Sequence, residues 1–473
     1  MQASIFNVRV PLPDRSEVFL MNTFTDAQLV VTTDVVDLLD RVEARTSPDA
    51  ATPLSGEERD TLDLLKEHGF VVPDRAQERT ALEAYFRDVR ESTDQLRVTV
   101  LTTLQCNFAC DYCIQGDHGD YNKNAAKMSL DTAARVAEWT EGRLDALRPE
   151  SFVLTFFGGE PLLNLPVMYF LAERMWAGCQ ARGVRMLINV ITNGLLLSPE
   201  LVERLNACGL NGIKITLDGD RDTHNRMRPL RGGQGTFDRI IRNVREIAHL
   251  TRVSIGGNFD METADSYPAL LDFLAEQEFA DKLARVSFKP IIREKQTVKK
   301  GMIPLTAVGA EGKPLNGACM TSAGTGVNRV CDTCNFVDEK MAFLREETKK
   351  RGFATVDGVH MGPCEIHKAH SHTIGPEGSL FACPGFAGEA LQSVGHIDGR
   401  QEEYRSHALR QFERLSAWDQ CSDCAFIPVC AGGCTVAAHN ELGDMHAPNC
   451  HKPSFEAGAI ALAHDAVRAL AHA

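Results

Sequence analysis

Leu101-Thr-Thr-Leu-Gln-Cys106-Asn-Phe-Ala-Cys110-Asp-Tyr-Cys113 gathers three cysteines, separated by three and then two residues, in one short loop directly after the apolar run Leu96 to Thr103. A structural zinc ion closes four protein ligands around itself, whereas a cubane iron-sulfur cluster held by three thiolates leaves one iron open to a small molecule. Tyr112 puts an aromatic face immediately before the third cysteine. The competing readings of the loop are ordinary buried cysteines or one half of a zinc site.

Outward from this loop, apolar strand-like runs alternate with amphipathic helical runs. The strand candidates are Leu96 to Thr103, Phe152 to Phe157, Arg185 to Thr192, Gly212 to Leu217, Arg252 to Phe259 and Ala284 to Pro290. Between them, helical periodicity covers Leu130 to Ala146, Leu165 to Ala181, Glu200 to Cys208, Thr236 to Leu250 and Ser266 to Gln277. Six strands alternating with helices of this length predict an α/β fold with a parallel sheet, whose ligands gather beyond the carboxyl ends of the strands. The cysteine loop falls at such an end.

The other strand ends carry polar groups. Gly158-Gly159-Glu160 follows the second strand, where two glycines permit close backbone approach to a ligand and Glu160 offers an acceptor for an ammonium group. Thr192-Asn193-Gly194 ends the third strand and Thr216-Leu-Asp218-Gly219 the fourth, while Asn258 closes the fifth. Turn formation alone also explains Asn193-Gly194 and Asp218-Gly219. Cys179 and Cys208 fall on helices and read as core residues.

A second set of cysteines lies near the C-terminus. Cys364 and Cys383 are followed by Cys421, Cys424, Cys430 and Cys434 at gaps of two, five and three residues, and then by Cys450. Seven cysteines do not divide into the closed four-ligand sets of a zinc ribbon. Between barrel and array, 293–359 reads as an irregular bridge with a glycine-rich stretch and Cys319, Cys331 and Cys334. His360, His367, His370 and His372 around Cys364 read as a solvated loop.

With these residues the chain resembles the radical S-adenosylmethionine (SAM) enzymes, whose hallmark is this cysteine spacing with an aromatic residue before the last. The resemblance implies a partial (β/α)6 barrel in which Cys106, Cys110 and Cys113 bind a [4Fe-4S] cluster and its open iron chelates SAM. One electron then cleaves SAM to a 5′-deoxyadenosyl radical that abstracts hydrogen from an unactivated carbon; the cofactor carries the chemistry and the protein positions it. It further implies that Tyr112 packs near the adenine and that Gly158, Gly159 and Glu160 grip the amino group. Thr192, Asn193, Thr216 and Asp218 are then expected at the carboxylate and ribose, with Asn258 a similar candidate. His224-Asn-Arg226-Met-Arg228 resembles the loop that follows in those enzymes.

The C-terminal array resembles the SPASM domain of peptide- and protein-modifying members. That pattern implies one auxiliary cluster on Cys421, Cys424, Cys430 and Cys450 and another on Cys364, Cys383 and Cys434, three [4Fe-4S] clusters in all. The fourth ligand of the latter stays open, with Cys319, Cys331 and Cys334 as candidates and an open iron as the alternative. The function implied is maturation of a ribosomal precursor peptide by a thioether or carbon-carbon cross-link, with the auxiliary clusters taking an electron and flavodoxin or ferredoxin as reductant. The rival within the family makes formylglycine in sulfatases; there an aspartate directly follows the equivalent of Cys383, where this chain has Pro384. A rival of another class is a zinc-stabilised adaptor that binds peptide without chemistry.

The remaining organisation follows from composition and pattern. At 473 residues the chain suggests two or three domains, and its formal charge of −14 argues against nucleic acid as a partner. The first residues form no secretory signal and no run suffices for a membrane span, which points to a cytoplasmic protein whose fifteen cysteines read mainly as metal ligands rather than disulfides. Residues 1–75 read as a small domain: strands Ile5 to Val10, Val18 to Phe24 and Ala27 to Val31, then a helix from Asp34 to Val42 and another opened by the capping box Ser55-Gly-Glu-Glu58. This order is winged-helix-like and resembles leader-peptide recognition domains. The expected division is completed by a helical linker at 76–95, the barrel at 96–292, the bridge, the SPASM domain at 360–452 and a terminal helix at 453–473.

Overall fold

The computed structural model describes residues 1–12, 15–44, 53–113, 125–292, 332–356, 359, 362–400 and 402–472, with the backbone alone for 44, 332–336 and 471–472. The candidates Cys319 and Cys331 and the histidine at 360 lie outside the described residues, as does the side chain of Cys334.

The N-terminal unit begins with β1 (Gln2–Ala3), β2 (Asn7–Pro11), β3 (Glu17–Asn22) and β4 (Gln28–Thr32), followed by α1 (Thr33–Ala44), α2 (Gly56–Glu67) and β5 (Val71–Val72). Ser55 and Glu58 form the capping box of α2 in both directions. β2, β3 and β4 make an antiparallel sheet in that order, and β1 pairs with β5. One face of the sheet packs on α1 and α2 through Leu20, Leu38, Leu39, Leu62 and Leu65. Helix α3 (Arg75–Glu91) then leads to the main sheet.

Six parallel strands form the barrel wall: β6 (Gln95–Leu101), β7 (Ser151–Phe157), β8 (Arg185–Thr192), β9 (Leu210–Thr216), β10 (Val253–Phe259) and β11 (Leu283–Pro290), each hydrogen-bonded to the next. The helices between them are α4 (Leu130–Leu147), α5 (Leu165–Arg182), α6 (Pro199–Asn206), α7 (Arg221–Met227), α8 (Phe237–Ile247) and α9 (Tyr267–Ala275). Alternate strand residues, among them Val98, Leu154, Ile188, Ile215 and Ile255, are buried against these helices in one continuous core that also takes in Cys179 and Cys208. Each such side chain contributes roughly 1.5–3 kcal/mol. The intervening residues face inward and mix polar groups such as Thr99, Thr155, Asn189 and Lys214 with the apolar Val153, Leu187 and Ile191. The mixed α/β architecture with its large parallel sheet is the one read from the sequence.

Two expectations fail here. The bridge is not irregular throughout: α10 (Asp332–Lys350) is a long helix that places Leu344 in the barrel core. Its sparse apolar positions sit beside a glycine-rich stretch that hides the period. Residues 224–228 are not a loop: through Met227 they belong to α7, which Asp220 caps by accepting from the Thr223 amide.

The C-terminal region extends the same sheet. β12 (Ser371–Ile374) pairs parallel with β6, and β13 (Ser379–Phe381) and β14 (Gly395–His396) follow antiparallel, giving nine strands in all. Leu101, Leu104 and Phe157 at the barrel rim pack with Ile366, Phe381, Phe386 and Phe412, so the cysteine array is seated against the strand ends. The expected solvated histidine loop is therefore buried in part: His367 is 5% exposed and His372 lies edge-on to Trp139. After α11 (Glu403–Glu413) and α12 (Thr435–Leu442), α13 (Lys452–His472) returns to cover the other face of the N-terminal sheet through Ala459, Leu462 and Ala463.

Candidate active site

The cysteine loop is fastened from both sides. On one side the backbone after β7 runs against it: the Gly159 amide donates to Thr103 O at 2.9 Å and the Glu160 amide to Gln105 O at 2.8 Å. A Cβ on Gly159 would fall 2.3 Å from Gln105 O, and one on Gly158, whose φ is +132°, 2.3 Å from Thr103 O. The glycine pair thus permits close approach to the loop itself, where the sequence suggested approach to a ligand. On the other side Ala109 donates its amide to Pro229 O at 3.0 Å, and Arg231 Nε reaches Cys106 O at 2.9 Å.

Glu160 is 0% exposed and accepts three protein hydrogen bonds: from the Leu162 amide at 3.0 Å, the Thr192 hydroxyl at 2.7 Å and the Asn193 amide at 2.8 Å. Burial raises its pKa and these bonds oppose the rise. One acceptor position on Oε2 is left for an outside donor. Asn193 uses its side-chain amide on Asn107 Oδ1 at 2.8 Å, beside the first cysteine.

A second network joins Tyr112, Asp218, Arg228 and Asn258. The Tyr112 hydroxyl donates to Asp218 Oδ2, Arg228 Nη1 donates to the Tyr112 oxygen at 2.6 Å, and the Asn258 amide donates to Asp218 Oδ1 at 2.7 Å. Burial opposes the Arg228 charge, but the Tyr112, Cys110 and Asp218 groups around it hold the guanidinium charged, above its ordinary value. Beneath them His224, 0% exposed, accepts from the Asp218 amide on Nδ1 and meets Thr236 on Nε2; burial keeps it neutral, well below its usual pKa. His224 stands out in the sequence only as part of a motif, and nothing local marks Asn107 or Arg231 as supports, because their partners are brought in by tertiary folding. Thr216 stands half-buried at the end of β9.

The cysteines fall into three groups. Cys106, Cys110 and Cys113 are near enough that each added negative charge raises the others, and burial, the larger cause, pushes Cys106 to about 12 and Cys110 to about 11. In the C-terminal region Cys364, Cys383 and Cys434 interact with one another, burial taking Cys383 to about 12. Cys421, Cys424, Cys430 and Cys450 form the third group, with Cys421 and Cys430 also pushed by burial to about 12. Gly433, at φ +93°, brings Cys430 and Cys450 together: a Cβ there would sit 1.9 Å from Asn449 O. Among the described residues, no three His, Cys, Asp or Glu side chains form a site for a single metal ion.

Mutually repelling thiols of this kind, most of them at least partly buried, ionise readily only against a strongly positive partner, and a soft thiolate set suits iron-sulfur clusters. The donor sets therefore fit the clusters the sequence calls for: three thiols on the barrel loop, three in one C-terminal group and four in the other. Among the described residues no helix is long and apolar enough to cross a membrane.

A model of the Radical SAM superfamily matches residues 100–274. The chain is 30% identical over 367 residues to an AdoMet-dependent heme synthase of Methanosarcina barkeri, spanning 72% of this chain and 91% of that one. It is 23% identical over 359 residues to a serine-type anaerobic sulfatase-maturating enzyme of Bacteroides thetaiotaomicron, spanning 72% and 82%. In fold it is similar to a solved structure, native anSMEcpe with bound AdoMet, at TM-score 0.56 and 14% identity over 80% of this chain and 99% of that one.

Proposed function

Because the chain belongs to the radical SAM superfamily, we propose that it is a peptide-modifying member that abstracts hydrogen from a residue of a ribosomal precursor peptide and leaves a thioether or carbon-carbon cross-link. The observation that carries this reading is the gathering of the seven C-terminal cysteines into one set of three and one of four beside the barrel rim. Cys106, Cys110 and Cys113 would hold the cluster that, when reduced, supplies the electron for SAM cleavage. Tyr112, Asp218, Arg228 and Asn258 orient the loop, and Glu160 offers its remaining acceptor position to the SAM ammonium. Gly158, Gly159, Thr192, Asn193 and Thr216 complete the SAM-side rim. The two C-terminal sets would hold auxiliary clusters that accept an electron from the substrate, with flavodoxin or ferredoxin as the external reductant. The N-terminal sheet supports a peptide substrate: among the described residues β4 pairs only with β3, so its outer edge can take an extended leader as a further strand.

Formylglycine formation is the second reading, supported by the sulfatase-maturating relative. It is weakened by Pro384, whose side chain cannot act as a base beside Cys383.

The test uses anaerobically reconstituted protein. It should be brown, with broad absorbance near roughly 400 nm and about twelve irons per chain for three cubanes; a colourless zinc protein would favour the adaptor. Coexpression with small open reading frames beside the gene should yield a peptide lighter by two hydrogens that stays linked after proteolysis. A product captured by a hydrazide, which marks an aldehyde, would favour formylglycine instead.

A further inference from the structure

Three cations line the inner wall of the barrel on β9 to β11. The residues that alternate with helix-facing Ile213, Ile215, Val253, Ile255 and Val286 point inward, and Lys214, Arg285 and Lys289 are among them. Register places Lys214 and Arg285 on either side of Ser254, and Lys289 beside Asn258. The Lys214 stem leans toward the rim across Gly256, the partner of Thr216: a Cβ on that glycine would come 2.6 Å from Lys214 Cε and 3.4 Å from Nζ. Gly256 is thus the bare position that makes room for the lysine.

Nothing described neutralises this wall. Enclosure by the barrel, the larger cause, and the charges of Lys289 and Arg285 lower the Lys214 pKa, while all three side chains keep surface open to solvent at the barrel interior. None of the three cations has an acidic partner among the described residues, although the chain as a whole is strongly acidic at −14. The segment 293–331 that follows carries six Lys or Arg against two Glu, so its composition adds no net acid. Like charges placed side by side on neighbouring strands are destabilising unless an anion joins them. The position is also telling: Asn258, next to Lys289, binds Asp218 and Tyr112 on the SAM side, while the Lys289 charge acts on Cys383 on the other.

We infer that Lys214, Arg285 and Lys289 seat a carboxylate of the substrate between the SAM-side network and the Cys383 group. The inference rests on the peptide reading above and deepens it: the segment that enters the barrel carries an Asp or Glu side chain, or its own C-terminal carboxylate, close to the modified carbon. Lys and Arg side chains at the barrel wall hold that anion through charge-assisted hydrogen bonds.

The test is calorimetric titration of the reconstituted, SAM-loaded enzyme with four probes: Ac-Gly-Glu-Gly-NH2, Ac-Gly-Gln-Gly-NH2, Ac-Gly-Gln-Gly with a free C-terminus, and glutarate. The Glu peptide should bind at least tenfold tighter than the Gln amide. Lys214→Met and Arg285→Met, compared at equal iron content, should each remove that difference, and Lys214→Arg should restore it. Tight binding of the free-acid Gln peptide instead assigns the wall to a C-terminal carboxylate. If glutarate shows the same charge dependence while no peptide binds, the anion site stands and the peptide reading fails. Equal binding of all three peptides, unchanged binding in the Met variants, or no binding by any probe would overturn the inference.

Discussion

Arg228 Nη1 lies 2.6 Å from the hydroxyl of Tyr112, 116 residues earlier in the chain. The cysteine loop is thereby tied to the far side of the barrel mouth through a cation that also faces Asp218 at 3.5 Å. Arg228→Met leaves the fully buried Asp218 carboxylate without its counter-charge, and about 3–5 kcal/mol of stability should be lost. Tyr112→Phe removes one neutral donor and should cost about 1–3 kcal/mol. Chemical denaturation of anaerobic protein measures both, and equal losses would show that charge pairing is not what secures the loop.

Gly159→Ala should strip iron from the barrel loop selectively. Its methyl would meet backbone, Gln105 O at 2.3 Å, which cannot swing aside as a side chain can. The loop must then shift and Cys106 with it. Iron content should fall by about one four-iron cluster, with 5′-deoxyadenosine production lost. Full iron with normal SAM cleavage would mean the contact relaxes without moving the thiols.

How much of this was legible beforehand differs by kind of signal. The barrel strands and helices were readable because apolar period and length are local properties: Arg185 to Thr192 was expected and found with the same bounds. Cysteine spacing is equally local, and it is what suggested the three sets. The supports were not, since Glu160 to Asn193 and Tyr112 to Arg228 are pairings across distant strand ends that no local pattern encodes. β12 was missed for a related reason: Ser371–Ile374 is four residues long and becomes a strand through its register with β6.

Acid should weaken the fold through its buried histidines. Burial pushes His372 and His367 down to about 4, and His224 is also held neutral. An unfolded histidine takes up its proton near pH 6.5, so below that value the unfolded state binds more protons than the folded one. Stability is therefore flat above about pH 6.5 and falls from there toward about pH 4. His372→Phe, which keeps a ring against Trp139, should lose about 1 kcal/mol less than the parent between pH 7 and 5.5. Parallel stability curves for the two proteins would remove His372 from this account.

The Cys106, Cys110, Cys113 triple Ala variant should retain the iron of the C-terminal groups yet produce no 5′-deoxyadenosine under strong reductant. The three sets interact within themselves and are built on separate elements, so each should assemble alone. Residual SAM cleavage would place the SAM-binding cluster elsewhere.

Removing the N-terminal unit, proposed above to take the leader peptide, should do more than slow modification. Phe6 and Phe24 of that unit, with Leu82 and Phe86 of α3, pack on Trp418 and Ile427, which flank Cys421 and Cys424. Phe86 stacks on Trp418 at 4.7 Å, the Arg79 guanidinium covers the same ring at 4.6 Å, and Thr23 donates its hydroxyl to Ala425 O. Deleting residues 1–75 strips one wall from this junction, so it is expected to lower iron in the four-cysteine group as well as to slow modification of the full-length precursor. Trp418→Ala separates the two effects. Losing a buried aromatic there costs about 3–5 kcal/mol and loosens Cys421, while the outer edge of β4 stays intact. The variant should lose about one cluster of iron yet bind the precursor with unchanged affinity in an equilibrium titration. Iron equal to the parent in both proteins would show that the four-cysteine group stands without the N-terminal unit, leaving that unit to recognition alone.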